Sequence, residues 1–188
     1  MKAPIDFYFD FSSPYGYLAS QKIEPLAGKH GRGVTWRPML LGAAFKVSGA
    51  GPLPSVPLKG EYSKRDFLRS ARFHGVPFRI PDVFPISTLH ACRAFYATGN
   101  VPLAKALFKA YFVDNVNIGE VDTVLRIAAS LGLKPDLNDP ALKDKTRAEV
   151  DAAVARGVFG SPYIVVDGEP FWGMDRFDHL ERWLKEPF

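Results

Sequence analysis

The stretch that most constrains this 188-residue chain runs Asp6-Phe7-Tyr8-Phe9-Asp10-Phe11-Ser12-Ser13-Pro14-Tyr15-Gly16-Tyr17-Leu18. Residues 5–11 alternate, with Phe7, Phe9 and Phe11 on one face, which is the pattern of a buried strand. The alternation stops at Ser12-Ser13-Pro14. Serine is a favoured helix N-cap, and proline is favoured at the first helical position, where its missing N–H would have been unpaired anyway. Ser13 is therefore expected as an N-cap and Pro14 as the first residue of a helix. That arrangement sets a hydroxyl at the positive end of a helix dipole, where an anion is stabilised. Ser13 would be equally in place as nothing more than a cap, and the sequence leaves both roles open.

From Pro14 the helical pattern continues to Glu24, with an interruption expected at Pro25. Gly31-Arg32-Gly33 ends that element, and residues 34–38 alternate as a second strand. The opening is thus β–α–β, which favours a parallel pair with a right-handed crossover. Residues 42–57, with several Gly and Pro, read as a long loop. Ser63-Lys64-Arg65-Asp66 reads as a capping box leading into a helix to His74. Further helical patterns cover residues 88–97, 102–115 and 120–131, and Asp139-Pro140 opens one running to Arg156. Tyr163-Ile164-Val165-Val166, Asp167-Gly168 and Glu169-Pro170-Phe171-Trp172 read as a β-hairpin. An amphipathic helix follows over 176–185, with Phe177, Leu180 and Leu184 on one face. The order is βαβ, a helical block, then ββα.

Charge and cysteine content narrow the chemistry. The formal net charge is +4, and the basic residues are scattered with no interleaved aromatics, so no nucleic-acid partner is expected. No apolar run reaches membrane-spanning length, and no basic region is followed by an apolar run and a cleavage site. The expectation is a cytoplasmic protein with no membrane contact. There is one cysteine, Cys92. An intramolecular disulfide and a Cys-x-x-Cys pair are both excluded. Cys92 lies in a helical pattern and reads as a buried structural thiol. No His/Cys cluster with ligand spacing is present, so no metal is expected. No Gly-x-Ser-x-Gly elbow is present, which argues against a serine hydrolase.

The element order, the strand–Ser-Pro–helix junction and the Ser161-Pro162 step before the third strand resemble a thioredoxin-like α/β fold with an inserted all-helical domain. On that reading residues 1–39 and 158–188 form the thioredoxin-like part and residues 40–157 the insertion. Four motifs narrow the resemblance. They are residues 9–18, Gly51-Pro52 with Lys59-Gly60-Glu61-Tyr62, Phe159-Gly160-Ser161-Pro162, and Phe171-Trp172-Gly173-Met174-Asp175-Arg176. Together they are similar to the 2-hydroxychromene-2-carboxylate isomerases, relatives of the kappa-class glutathione transferases. The similarity covers essentially the whole chain. Two positions depart from the family habit: Ala50 stands where Asn is frequent, and Met174 where a polar residue is frequent.

The resemblance implies a glutathione-dependent isomerase acting on a small aromatic carboxylate, 2-hydroxychromene-2-carboxylate, and giving trans-o-hydroxybenzylidenepyruvate. A homodimer is the family habit. Where related disulfide oxidoreductases carry Cys-x-x-Cys, this chain has Ser13-Pro14-Tyr15-Gly16, so the thiol would come from glutathione and Ser13 would hydrogen-bond its sulfur. A free thiol has a pKa near ~8.5. A charge-assisted hydrogen bond is worth roughly 1.5–3 kcal/mol and a helix N-terminus roughly 0.3–2 kcal/mol. At about 1.4 kcal/mol per pKa unit, these could lower the thiol by roughly one to three units. The resemblance further assigns glutathione contacts to Pro14, Tyr15 and Lys59, to the main chain of Ser161 beside a cis Pro162, and to Met174 and Asp175. From the residues alone, Asp175 would serve equally as an N-cap of the last helix, and Lys59 as a solvated cation. Tyr15, Phe45 and Trp172 would line an aromatic pocket or sit in the core. A transferase that joins the thiol permanently to an electrophile, and a binding module without catalysis, share the same site.

Overall fold

The computed structural model describes residues 2–188. The first strand, β1 (Ile5–Phe9), leads into α1 (Pro14–Ser20) and α2 (Ile23–Lys29), and β2 (Val34–Pro38) follows. The helical block comprises α3 (Leu41–Ser48), a 3-10 turn at Leu53–Ser55, α4 (Lys59–His74), α5 (Leu89–Thr98), α6 (Val101–Phe112), α7 (Val121–Ser130) and α8 (Pro140–Ala155). The chain closes with β3 (Tyr163–Val166), β4 (Glu169–Trp172), a 3-10 turn at Met174–Arg176 and α9 (Phe177–Lys185).

The sheet order is β2-β1-β3-β4. β1 runs parallel to β2 and antiparallel to β3, with Phe7 opposite Ile164. The β3–β4 turn is made by Asp167 and Gly168, with φ of 52° and 91°, as a hairpin turn with two left-handed residues requires. The edges are β2, which ends in Pro38, and β4, which contains Pro170.

One continuous apolar core joins the sheet to the helical block. Phe7, Phe9 and Phe11 are fully buried and pack with Leu107, Phe108 and Phe112 of α6. Phe9 and Phe108 have ring centroids 5.3 Å apart, and Phe11 and Phe108 5.0 Å. The opposite face of the sheet, at Tyr8 and Tyr163, is covered more thinly by Met39, Ala44, Ala153 and Val158. Residues 40–157 thus share their core with the strands.

Several boundaries differ from the sequence reading, each for a local reason. β1 stops at Phe9 because Asp10 folds its side chain onto the backbone N–H of Ser12, 2.8 Å away, and starts a turn. The first helix ends at Ser20, before Pro25. Pro25 sits in the first turn of α2, where no intrahelical bond is lost. The first part of the loop expected over residues 42–57 is instead α3, whose first N–H, on Leu41, donates to the Asp10 carboxylate at 2.7 Å. A cap supplied from the turn after β1, 31 positions earlier, is invisible to local pattern. Ser63 is not an N-cap. It lies inside α4 and donates to the Gly60 carbonyl at 2.8 Å, one turn back.

Candidate active site

The turn between β1 and α1 opens into a cleft of about 1870 Å³. Its walls come from that turn, from α3 and α4, from the segment 159–161 and from residues 172–178. Ser13 and Ser161 face each other across its floor.

Ser13 is the N-cap of α1, with Pro14 at the first helical position, as the sequence predicts. Its Oγ accepts the Gly16 N–H at 3.0 Å and donates to the Ser161 carbonyl at 2.9 Å. Ser13 is only 6% exposed. Gly16 permits this close approach, since a Cβ there would come 2.5 Å from Ser161 Oγ. The Ser161–Pro162 peptide is cis, as the resemblance implies. A second cis peptide, Phe84–Pro85, carries no sign in the sequence. Pro162 is buried behind Ser161 and does not reach the cleft wall.

Asp10 is the residue that sequence reasoning missed. It is 4% exposed and lies at the cleft floor. Oδ1 accepts from Ser12 N–H at 2.8 Å, from Ser12 Oγ at 3.0 Å and from Thr88 Oγ1 at 2.8 Å, while Oδ2 takes the Leu41 N–H. Its own N–H donates to Ser161 Oγ at 3.0 Å. One carboxyl thus ties the Ser12–Ser13 turn to the starts of α3 and α5. Burial pushes the Asp10 pKa up, against the pull of the Leu41, Ser12 and Thr88 donors. The available signal was an acid at the end of an all-aromatic strand, since carboxylates are seldom fully buried unless paired.

Tyr15 lines the cleft and donates to Asp66 of α4. Arg69 clasps the same carboxylate and reaches Tyr62 Oη at 3.0 Å. Burial and the facing carboxylate push the Tyr15 hydroxyl well above its ordinary value. Burial alone would raise Asp66, but the bonds from Tyr15 and Arg69 outweigh it and hold Asp66 below the usual carboxylate value.

Trp172 crosses the cleft rim and packs against Phe159 with ring centroids 4.8 Å apart. Its indole lies over Gly160, where a Cβ would come 2.2 Å from Nε1. Tyr15, Phe45 and Trp172 all line the cleft. The Met174 side chain is buried in the core, which leaves only its main chain to face a ligand. The Asp175 side chain is 72% exposed, lies 3.3 Å from Arg176 and caps no helix, for α9 begins at Phe177 without a side-chain cap. Lys59 opens α4 as an exposed residue and is not part of the cleft wall, whereas Lys46 of α3 is.

Cys92 is fully buried, 3.8 Å from the Pro38 carbonyl, and burial pushes its thiol well above the ordinary value. It is the structural thiol that the sequence predicts. Among the described residues no group of His, Cys, Asp or Glu is arranged to hold a metal ion, and no histidine hydrogen-bonds Ser13.

The DSBA-like thioredoxin domain family matches residues 4–185. The 2-hydroxychromene-2-carboxylate isomerase of Sphingobium xenophagum is 35% identical over 196 residues, covering 98% of this chain and 99% of that protein. The chain belongs to the 2-hydroxychromene-2-carboxylate isomerase family. A solved 2-hydroxychromene-2-carboxylate isomerase superposes with a TM-score of 0.83 at 27% identity, covering 96% of this chain and 94% of that one. Similarity extends to a Caenorhabditis elegans protein named glutathione S-transferase kappa 2, 25% identical over 98% of this chain and 92% of its own length. The chain thus shares its fold with DSBA-like domains, but a serine caps α1 and the one cysteine is remote from the cleft. No helix among the described residues is long and apolar enough to cross a membrane.

Proposed function

We propose that this enzyme isomerises 2-hydroxychromene-2-carboxylate to trans-o-hydroxybenzylidenepyruvate with glutathione as a catalytic cofactor. The observation that carries the reading is the Ser13 hydroxyl at the cleft floor, beside the Ser161 carbonyl, in a chain with no thiol of its own there. The residues present fit a cysteinyl tripeptide. Ser13 offers a hydroxyl, Ser161 a main-chain acceptor, Met174 its main chain, and Asp175 an exposed carboxylate suited to an ammonium group.

Glutathione held there would supply a thiolate, the nucleophile whose reversible addition to the conjugated double bond makes that bond rotatable. Ser13 holds the sulfur in its ionised form through a charge-assisted hydrogen bond. Tyr15, Phe45 and Trp172 present flat apolar surface to the substrate ring. Lys46, on the α3 wall, is a counter-charge for the substrate carboxylate.

Ser13→Ala is expected to retain the fold and to lower kcat/KM at pH 7 by roughly ten- to a hundredfold, from loss of one hydrogen bond to a charged group. Raising the pH, which ionises the thiol without help, should restore part of the rate. An unchanged rate at pH 7 would remove Ser13 from the mechanism. The kappa-named relatives favour one second reading, a transferase that conjugates glutathione to an electrophile. Free glutathione measured over many turnovers separates the two, since it stays constant for the isomerase and falls for the transferase.

A further inference from the structure

Ser13 Oγ carries one proton, which it donates in a hydrogen bond to the Ser161 carbonyl, the two oxygens 2.9 Å apart. The oxygen's acceptor side is engaged by the Gly16 N–H at 3.0 Å. The hydroxyl therefore cannot donate to a sulfur in the cleft while it donates to Ser161. If it turns away beneath a bound ligand, it strips the half-buried Ser161 carbonyl of the donor it has here, and a carbonyl that the ligand covers without a donor is costly. A ligand that recruits the hydroxyl must supply a replacement donor to Ser161.

We propose that Ser13 and Ser161 form an exchange pair, in which the Ser13 hydroxyl donates its hydrogen bond to the Ser161 carbonyl and turns that bond to a bound sulfur only when the ligand's own amide N–H takes the carbonyl. The inference rests on glutathione as the thiol source and adds a condition on which thiols can be activated. A cysteinyl residue meets the condition by construction. Its amide nitrogen and its sulfur are three bonds apart, and the two protein atoms they would engage are neighbours. A thiol without an adjacent amide N–H would have to leave the carbonyl unpaired, so it gains no help from Ser13. When the exchange occurs, the thiol proton passes to water and the sulfur keeps the electron pair. No oxidant or reductant is involved.

The pair makes a prediction of opposite signs for two ligands. Binding to the wild type and to Ser13→Ala is measured by calorimetry with glutathione and with the thiol-free tripeptide γ-Glu-Ala-Gly. Glutathione should bind Ser13→Ala roughly three- to tenfold more weakly, having lost the hydroxyl. The thiol-free peptide should bind Ser13→Ala as tightly or a few-fold more tightly, because no hydroxyl competes for the Ser161 carbonyl. Equal weakening of both peptides, or no change in either, overturns the exchange. Failure of glutathione to bind the wild type at all defeats the function proposed above, a result distinct from either of those. Because the alanine variant also loses the α1 cap, a second measurement uses the wild type alone. The ionisation of a saturating thiol is followed by its ultraviolet thiolate absorbance. Glutathione should ionise at lower pH than it does free in solution, and 3-mercaptopropionate, which has no amide, should not be shifted. An equal shift for both thiols overturns the proposal.

Discussion

Tyr15 and Asp66 show how a single contact changes what a side chain contributes. The tyrosine hydroxyl and Arg69 hold Asp66 ionised below the ordinary carboxylate range, against the effect of burial. A carboxylate with a depressed folded-state pKa stabilises the protein above its unfolded value, and that stabilisation is lost as pH falls through the folded value. Tyr15→Phe removes part of this contribution. The gap in Tm between wild type and Tyr15→Phe should therefore be largest at neutral pH and should narrow in acid as Asp66 becomes protonated. Thermal scans from pH 7 down to pH 3 measure it, and a gap that is constant with pH would mean that the bond does not set the Asp66 charge. Trp172 belongs to the same scale. The sequence offered its ring either as pocket wall or as core, and the structure gives it to the pocket; what local pattern did not carry is the contact with Gly160, twelve positions earlier, that seats the ring.

At the scale of elements, the boundaries set by local chemistry were readable and those set from afar were not. Asp139 accepts from Ala141 N–H at 2.9 Å and Pro140 starts its helix, while Asn100 accepts from Leu103 N–H at 2.8 Å with Pro102 as the second residue of α6, both as residue preferences dictate. Gly99 ends α5 in left-handed geometry with φ of 60°, as read; Gly49 ends α3 in the same way with φ of 71°, in a stretch the sequence reads as loop. α3 has no such signal at its start. Its first N–H is satisfied by Asp10, 31 positions earlier, and no window of adjacent residues contains that bond. The same carboxyl is why the candidate site was legible at Ser13, whose cap is local, and not at its support. Asp10→Asn tests the arrangement. Every protein group bonded to the carboxylate is a donor, so an amide must turn its own N–H₂ toward one of them. The cost should be about 1–3 kcal/mol in stability. Hydrogen exchange should show the start of α3 losing protection, with β1 and β2 little changed. Retained protection at Leu41 would mean that α3 forms without the carboxyl.

At the scale of the molecule, the element order was legible as βαβ, helices, then ββα, while the packing of that order was not. Alternation in β1 predicts which face is apolar, but not that α6 would be the element to cover it. Phe108 touches Phe9, Phe11 and Tyr17, so helical block and sheet meet in one aromatic cluster. A shared core predicts shared unfolding. Phe108→Ala should cost about 3–5 kcal/mol, as large buried aromatics do. Denaturation followed by helix content and by tryptophan fluorescence should then shift together as a single transition. Two separated transitions would mean that the block and the sheet stand independently.

The two prolines at the margins of the sheet have a consequence for how copies of this chain can meet. A strand of another molecule can extend a sheet only along an unbroken row of backbone donors and acceptors. Pro170 interrupts that row on β4, and Pro38, whose carbonyl already accepts the Tyr96 hydroxyl at 2.6 Å, closes the end of β2. Strand-to-strand annealing is thereby discouraged at both borders, and any assembly of this protein would be built from its helices and loops.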